Sequence, residues 1–129
     1  PGTDVTVVAI GDAVPAALRA GATLGEQGIS IEVIDPRSLV PLDHETILAS
    51  VAKTGRLMIA DPAHKTCGAA AEIAAMVAEE GFSSLRAPIT RVVAPDVHPP
   101  FSPALERMMY PTPEAIAAAA ARLLGEARV

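Results

Sequence analysis

The sequence predicts an α/β domain built on a mainly parallel sheet, and three observations carry that prediction. Apolar, β-branched segments alternate with longer segments of helical periodicity, four of each. The first strand segment, Val5 to Ile10, is apolar on both faces, as a strand covered by helices on both sides must be. The helical segments are punctuated by N-cap residues ahead of them, Asp12, Asp43 and Thr112, and by Gly28 and Gly55 behind.

The first strand is the run Val5-Thr6-Val7-Val8-Ala9-Ile10, ended by Gly11-Asp12. Asp12 is the expected cap of a helix over Ala13 to Gln27, with Pro15 in the first turn, where no amide bond is lost. Val14, Ala17, Leu18, Gly21 and Leu24 form its expected buried face. Ile29 to Asp35 reads as the second strand, stopped by Pro36. A loop, Pro36 to Pro41, leads to a helix capped by Asp43, with Leu42 and Ile47 at the two positions of a hydrophobic staple. Leu57 to Ala60 is the third strand, and Asp61 to Gly68 is expected to be a polar loop. The third helix then runs to Glu80, with Ile73, Met76 and Val77 inward. Ile89 to Ala94 is the fourth strand. Pro95 to Pro113 holds six prolines and is expected to be extended. Thr112-Pro113-Glu114 opens a last helix to about Arg128. The expected strand order is second, first, third, fourth, all parallel, which right-handed crossovers allow and which places helices on both faces.

Composition narrows the function classes. The 129 residues make one domain, 1–129, without an internal boundary, and Pro1 suggests a processed chain or fragment. The core must be aliphatic and closely spaced, because Phe82, Phe101 and Tyr110 are the only aromatics and alanine dominates. A stacking platform for single-stranded nucleic acid is excluded by the same count, and the net charge of −5 argues against a phosphate-backbone binder. No apolar run approaches the ~20 residues that span a bilayer. The single Cys67 forms no internal disulfide and points to a reducing, cytoplasmic setting.

The chemistry-bearing residues are few. Gly11-Asp12 follows a strand as in a nucleotide-binding turn, but neither Gly-x-Gly-x-x-Gly nor a Gly-Lys phosphate loop is present. Asp61, His64, Lys65 and Cys67 share one loop, yet their spacing suits no metal, and Cys67 lacks an identifiable base. Arg37 could clamp a carboxylate, a phosphate or a partner, or hold its own loop through a salt bridge. The Val97–Tyr110 stretch carries Phe101, Leu105, Met108, Met109 and Tyr110 on a proline-stiffened chain, which favours contact with a partner.

Several motifs, taken in order, resemble one family. Ile34-Asp35-Pro36-Arg37-Ser38-Leu39-Val40-Pro41-Leu42-Asp43, Lys53-Thr54-Gly55-Arg56-Leu57, Ala71-Glu72-Ile73-Ala74, Arg91-Val92 with Pro95-Asp96, and Phe101-Ser102-Pro103-Ala104-Leu105-Glu106 look like the C-terminal domain of transketolase-like enzymes. They are most similar to the beta subunit of the decarboxylating component of 2-oxo acid dehydrogenases of the pyruvate, branched-chain and acetoin types. The resemblance implies a three-layer α/β/α fold and, before Thr3, a further antiparallel strand beside the second. It also implies that a pyrimidine-binding domain precedes this one. Thiamine diphosphate with magnesium would then sit between that domain and the alpha subunit, with none bound by this domain. The partners it implies are the alpha subunit, a second beta subunit and the acyltransferase core, with no nucleic acid and no membrane. Other transketolase-like enzymes, or a stand-alone anion-binding module, remain alternatives.

Two site expectations follow. A small anion, if held at all, would lie in the switch-point crevice beside Gly11, Asp12, His64 and Lys65. Subunit contacts would come from Arg37, Arg107, Met108, Met109 and Tyr110, while Phe101 and Leu105 cover the domain's own core.

Overall fold

The computed structural model describes residues 2–126. Its elements run β1 (Val5–Ala9), α1 (Ala13–Glu26), β2 (Ile31–Ile34), α2 (His44–Thr54), β3 (Leu57–His64), α3 (Ala69–Glu80), a 3-10 turn (Phe82–Ser84), β4 (Thr90–Ala94), α4 (Pro103–Glu106) and α5 (Pro113–Glu126). The sheet order is β2-β1-β3-β4, with every pairing parallel. This is the predicted topology, with β1 at the centre and β2 at an edge.

The strands alternate between two cores. Val5, Val7 and Ala9 of β1, with Met58 and Ala60 of β3, pack under α1 and α5. Val8, Leu57 and Ile59 point to the other side, against Ile47 and Val51 of α2 and Ile73, Met76 and Val77 of α3. Three layers result, each strand face burying aliphatic area worth roughly 25 cal/mol per Å².

Alanine explains how the first core closes with few large side chains. Ala13, Ala16, Ala17 and Ala20 of α1 meet a layer that includes Ala119 and Ala120 of α5, and α1 and α5 lie in contact. The buried face of α1 is therefore Ala13, Ala16, Ala17, Ala20 and Leu24, rotated from the expected stripe. Leu18 is 59% exposed. Side-chain size misled the periodicity here, because close helix approach selects the small residues. Asp12 also differs from expectation: it is helical and makes no side-chain cap.

Helix α2 forms as its signals predict. The Asp43 carboxylate accepts from the Thr46 amide at 3.0 Å and from its hydroxyl at 2.6 Å. Gly55 closes the helix at φ +71°, the left-handed region glycine enters without penalty. Thr112 caps α5, accepting from the Ala115 amide at 3.1 Å. The end of that helix near Arg128 lies outside the described residues.

Two further boundaries are corrected. Strand β3 continues through Asp61 to His64, into the expected loop. Its pairing with β4 shifts between Asp61↔Val93 and His64↔Ala94, so Pro62 and Ala63 bulge out. Proline has no amide to give a ladder, which makes a bulge the place where it fits. The proline-rich stretch contains the one-turn helix α4, opened by Pro103 at its first position.

Candidate functional site

The four strands end at one edge of the sheet, and the chain leaves each of them through an irregular turn. Gly11 after β1, Arg37 after β2 and Cys67 after β3 all have positive φ, at 55°, 59° and 58°. For the two side-chain-bearing residues this conformation is uncommon. At Arg37 it is held by Asp35. Its carboxylate accepts from the Arg37 amide at 3.2 Å and from the guanidinium at 3.3 Å. The Arg37 side chain is otherwise 84% exposed, so the loop salt bridge coexists with a surface free to meet a partner.

The expected anion crevice is built differently. At the switch point between β1 and β3 lies a cavity of about 270 Å³, lined by Asp12, Ala13, Pro62, Tyr110 and Pro111. Gly11 lines a neighbouring hollow with Ile10, Val14, Arg37 and Leu39. His64 instead hydrogen-bonds through Nε2 to the Val97 carbonyl at 3.2 Å. The Lys65 amide donates to Ala94 at 3.0 Å, and its carbonyl accepts from Arg91 at 2.9 Å. Both residues are thus tied to the β4 side. Tyr110, placed in the sequence reading among contact residues, forms the cavity wall.

Asp61 has a role that the sequence reading missed. It is buried, and its carboxylate accepts from the amides of Ala63 at 2.9 Å and Ala70 at 3.3 Å. The cap residue ahead of α3 is Gly68, which has no side chain to bond the helix start. An internal carboxylate therefore serves the helix start that an external anion would otherwise use. The signal was present: an acidic residue ending an apolar strand, followed by a helix without its own cap. Among the described residues no three His, Cys, Asp or Glu side chains are grouped to hold a metal ion.

The Val97–Tyr110 segment is more exposed than expected. Phe101 is fully exposed, Leu105 is more than half exposed and Met108 is 79% exposed. Phe101 and Leu105 do not cover the core. Met109 does, at 7% exposure, because the turn after α4 directs it inward while its neighbours project outward. It cannot be a free contact residue. Arg107 is exposed beside them, and Tyr110 is partly exposed, 3.5 Å from the Glu106 carboxylate. After β2, Leu39 and Val40 are also exposed, Val40 by 92%. The apolar surface left uncovered by this fold is thus concentrated in the segments leaving β2 and β4.

Comparison with known proteins places this architecture. Residues 1–116 match the family model described as transketolase, C-terminal domain. The chain is 51% identical over 125 residues to the beta subunit of acetoin:2,6-dichlorophenolindophenol oxidoreductase of Bacillus subtilis, covering 97% of this chain and 36% of that protein. It is 47% identical over 109 residues to the pyruvate dehydrogenase E1 component subunit beta of Leifsonia xyli, covering 84% and 32%. A solved structure described as a split gene transketolase, an inactive beta4 tetramer, superposes with a TM-score of 0.85 at 31% identity, over 99% of this chain and 40% of that one. The chain spans about a third of the length of the curated relatives it matches. The sequence motifs, the β2-β1-β3-β4 parallel sheet and these matches agree: the chain belongs to the transketolase C-terminal domain family.

Proposed function

We propose that this chain is the assembly domain of the beta subunit of a thiamine-diphosphate-dependent dehydrogenase component of the pyruvate, branched-chain 2-oxo acid or acetoin type. Where the substrate is a 2-oxo acid, the parent enzyme decarboxylates it oxidatively, and the disulfide of a lipoyl group takes up the acyl group and the two electrons. Thiamine diphosphate and magnesium belong, in this reading, to the pyrimidine-binding domain and the alpha subunit. The domain described here joins the alpha subunit, a second beta subunit and the acyltransferase core. The same reading puts the parent in the cytoplasm, where the exposed Cys67 thiol stays reduced.

One observation carries the proposal: Phe101, Leu105 and Met108 stand in solvent, with Tyr110 partly exposed, on a single short segment. Monomeric domains rarely expose so much contiguous apolar surface, and aromatic residues and methionine are enriched where subunits meet. The names of the relatives, all beta subunits, support it. Arg107 lies at the rim of this segment, Arg37 offers a second exposed contact after β2, and Met109 fixes the segment from beneath.

The test uses the full-length parent with its alpha subunit. Phe101→Asp with Met108→Asp should weaken subunit association by tenfold or more in sedimentation, about the effect of losing one anchor residue. The 129-residue chain carrying the same changes should melt as the unsubstituted chain does. Unchanged association would overturn the proposal.

A further inference from the structure

The apolar segment is attached to the domain at two points. From His98 to Met108 the hydrogen bonds are all local, such as Leu105 to Ser102 at 3.1 Å and Met108 to Leu105 at 3.0 Å. The downstream attachment is buried Met109. The upstream attachment lies at Asp96, where the exits of β3 and β4 meet. One carboxylate oxygen of Asp96 accepts from the Thr66 amide at 3.0 Å, and the other accepts from the Thr66 hydroxyl at 2.6 Å. His64 adds its bond to the Val97 carbonyl.

We propose that the Thr66–Asp96 pair is a latch that positions the apolar strap from Val97 to Met108. Both carboxylate oxygens are engaged by one residue, which fixes the orientation of Asp96 as well as its distance. The chain on either side transmits that orientation. Pro95 precedes Asp96, and Pro99 and Pro100 follow within four residues, each with its φ set by the ring. A glycine-rich connection would lose the direction, whereas this one carries it to Phe101. Thr66 and Asp96 are positioning residues: they set where the side chains of the strap stand. What the strap binds rests on the assembly reading; the latch itself is a property of this chain.

The experiment separates the two. Backbone amide order parameters are measured by NMR on the 129-residue chain at Phe101, Leu105 and Met108, with β1 amides as reference. In Asp96→Ala the strap values should fall below about 0.6, while β1 stays near 0.85, the usual levels for mobile and rigid backbone. Thr66→Val, which keeps the amide bond, should give a smaller fall, and Thr66→Ser should match the unsubstituted chain. Strap values unchanged in Asp96→Ala, or a loss of order in β1 equal to that in the strap, would overturn the latch. The same Asp96→Ala change in the full-length parent should weaken association tenfold or more. If the strap loosens and association holds, the latch stands and the assembly reading falls.

Discussion

Thr6, the second residue of β1, lies 2.7 Å from Ser50 of α2, hydroxyl oxygen to hydroxyl oxygen, with both residues buried. Thr54 of the same helix is 2.8 Å from Thr6 on its other side. Ser50 then donates to the Glu32 carboxylate on β2, which is also held by the Lys53 ammonium at 2.6 Å. A polar thread thus runs from the centre of the sheet through α2 to the edge strand, inside an otherwise aliphatic layer. Every member has a partner, which is the condition for such a network to be tolerated in a core.

Thr6→Val should therefore destabilise the chain by about 1–3 kcal/mol, because buried hydroxyls on α2 lose a partner while the shape is kept. The double variant Thr6→Val with Ser50→Ala should cost less than the sum of the single ones, since the two groups interact. Urea denaturation of the three variants measures both; strict additivity would show the hydroxyls act independently.

Stability should fall as pH drops below the ordinary glutamate range, and Glu32 should contribute to the fall. The hydrogen bond from Lys53, then that from Ser50, lowers its pKa below the usual 4.5. A carboxyl whose folded pKa is depressed stabilises the fold fully above its unfolded value. That contribution is lost as pH falls through the folded value. In urea titrations across the acid range, Glu32→Gln should show a shallower decline than the unsubstituted chain.

Asp61→Ala should cost about 1–3 kcal/mol, because the amides of Ala63 and Ala70 lose their acceptor in a buried place. Asp61→Asn keeps an acceptor oxygen and should recover part of the loss. Thermal unfolding of the two variants distinguishes a cap from a residue that merely fills space, for which both would behave alike.

Neighbouring side chains at the end of the strap should respond in opposite ways. Met109→Ala removes a buried side chain and should destabilise the fold by about 2–5 kcal/mol. Met108→Ala and Phe101→Ser, at exposed positions, should change it by no more than about 0.5 kcal/mol. Equal effects at 108 and 109 in denaturant titrations would contradict the orientation of this turn.

Much of the architecture was legible in the sequence because the information is local. The β-branched run Val5 to Ala9, the cap at Asp43 and the stop at Gly55 specify their elements within a few residues. Strands that alternate with helices leave few topologies that obey right-handed crossover. The family resemblance rested on residue order alone. Tertiary structure decided what depends on distant partners. The face α1 buries is chosen by α5, about a hundred residues later, whose alanines admit a close neighbour. Asp61 becomes a cap because the bulged end of β3 brings it to α3. Met109 turns inward while Phe101 stays in solvent because the turn after α4, closed by the Met109 amide on the Glu106 carbonyl, sets which side chain meets the core. Spacing along the chain encodes each element's own periodicity; it does not encode the direction from which another element arrives.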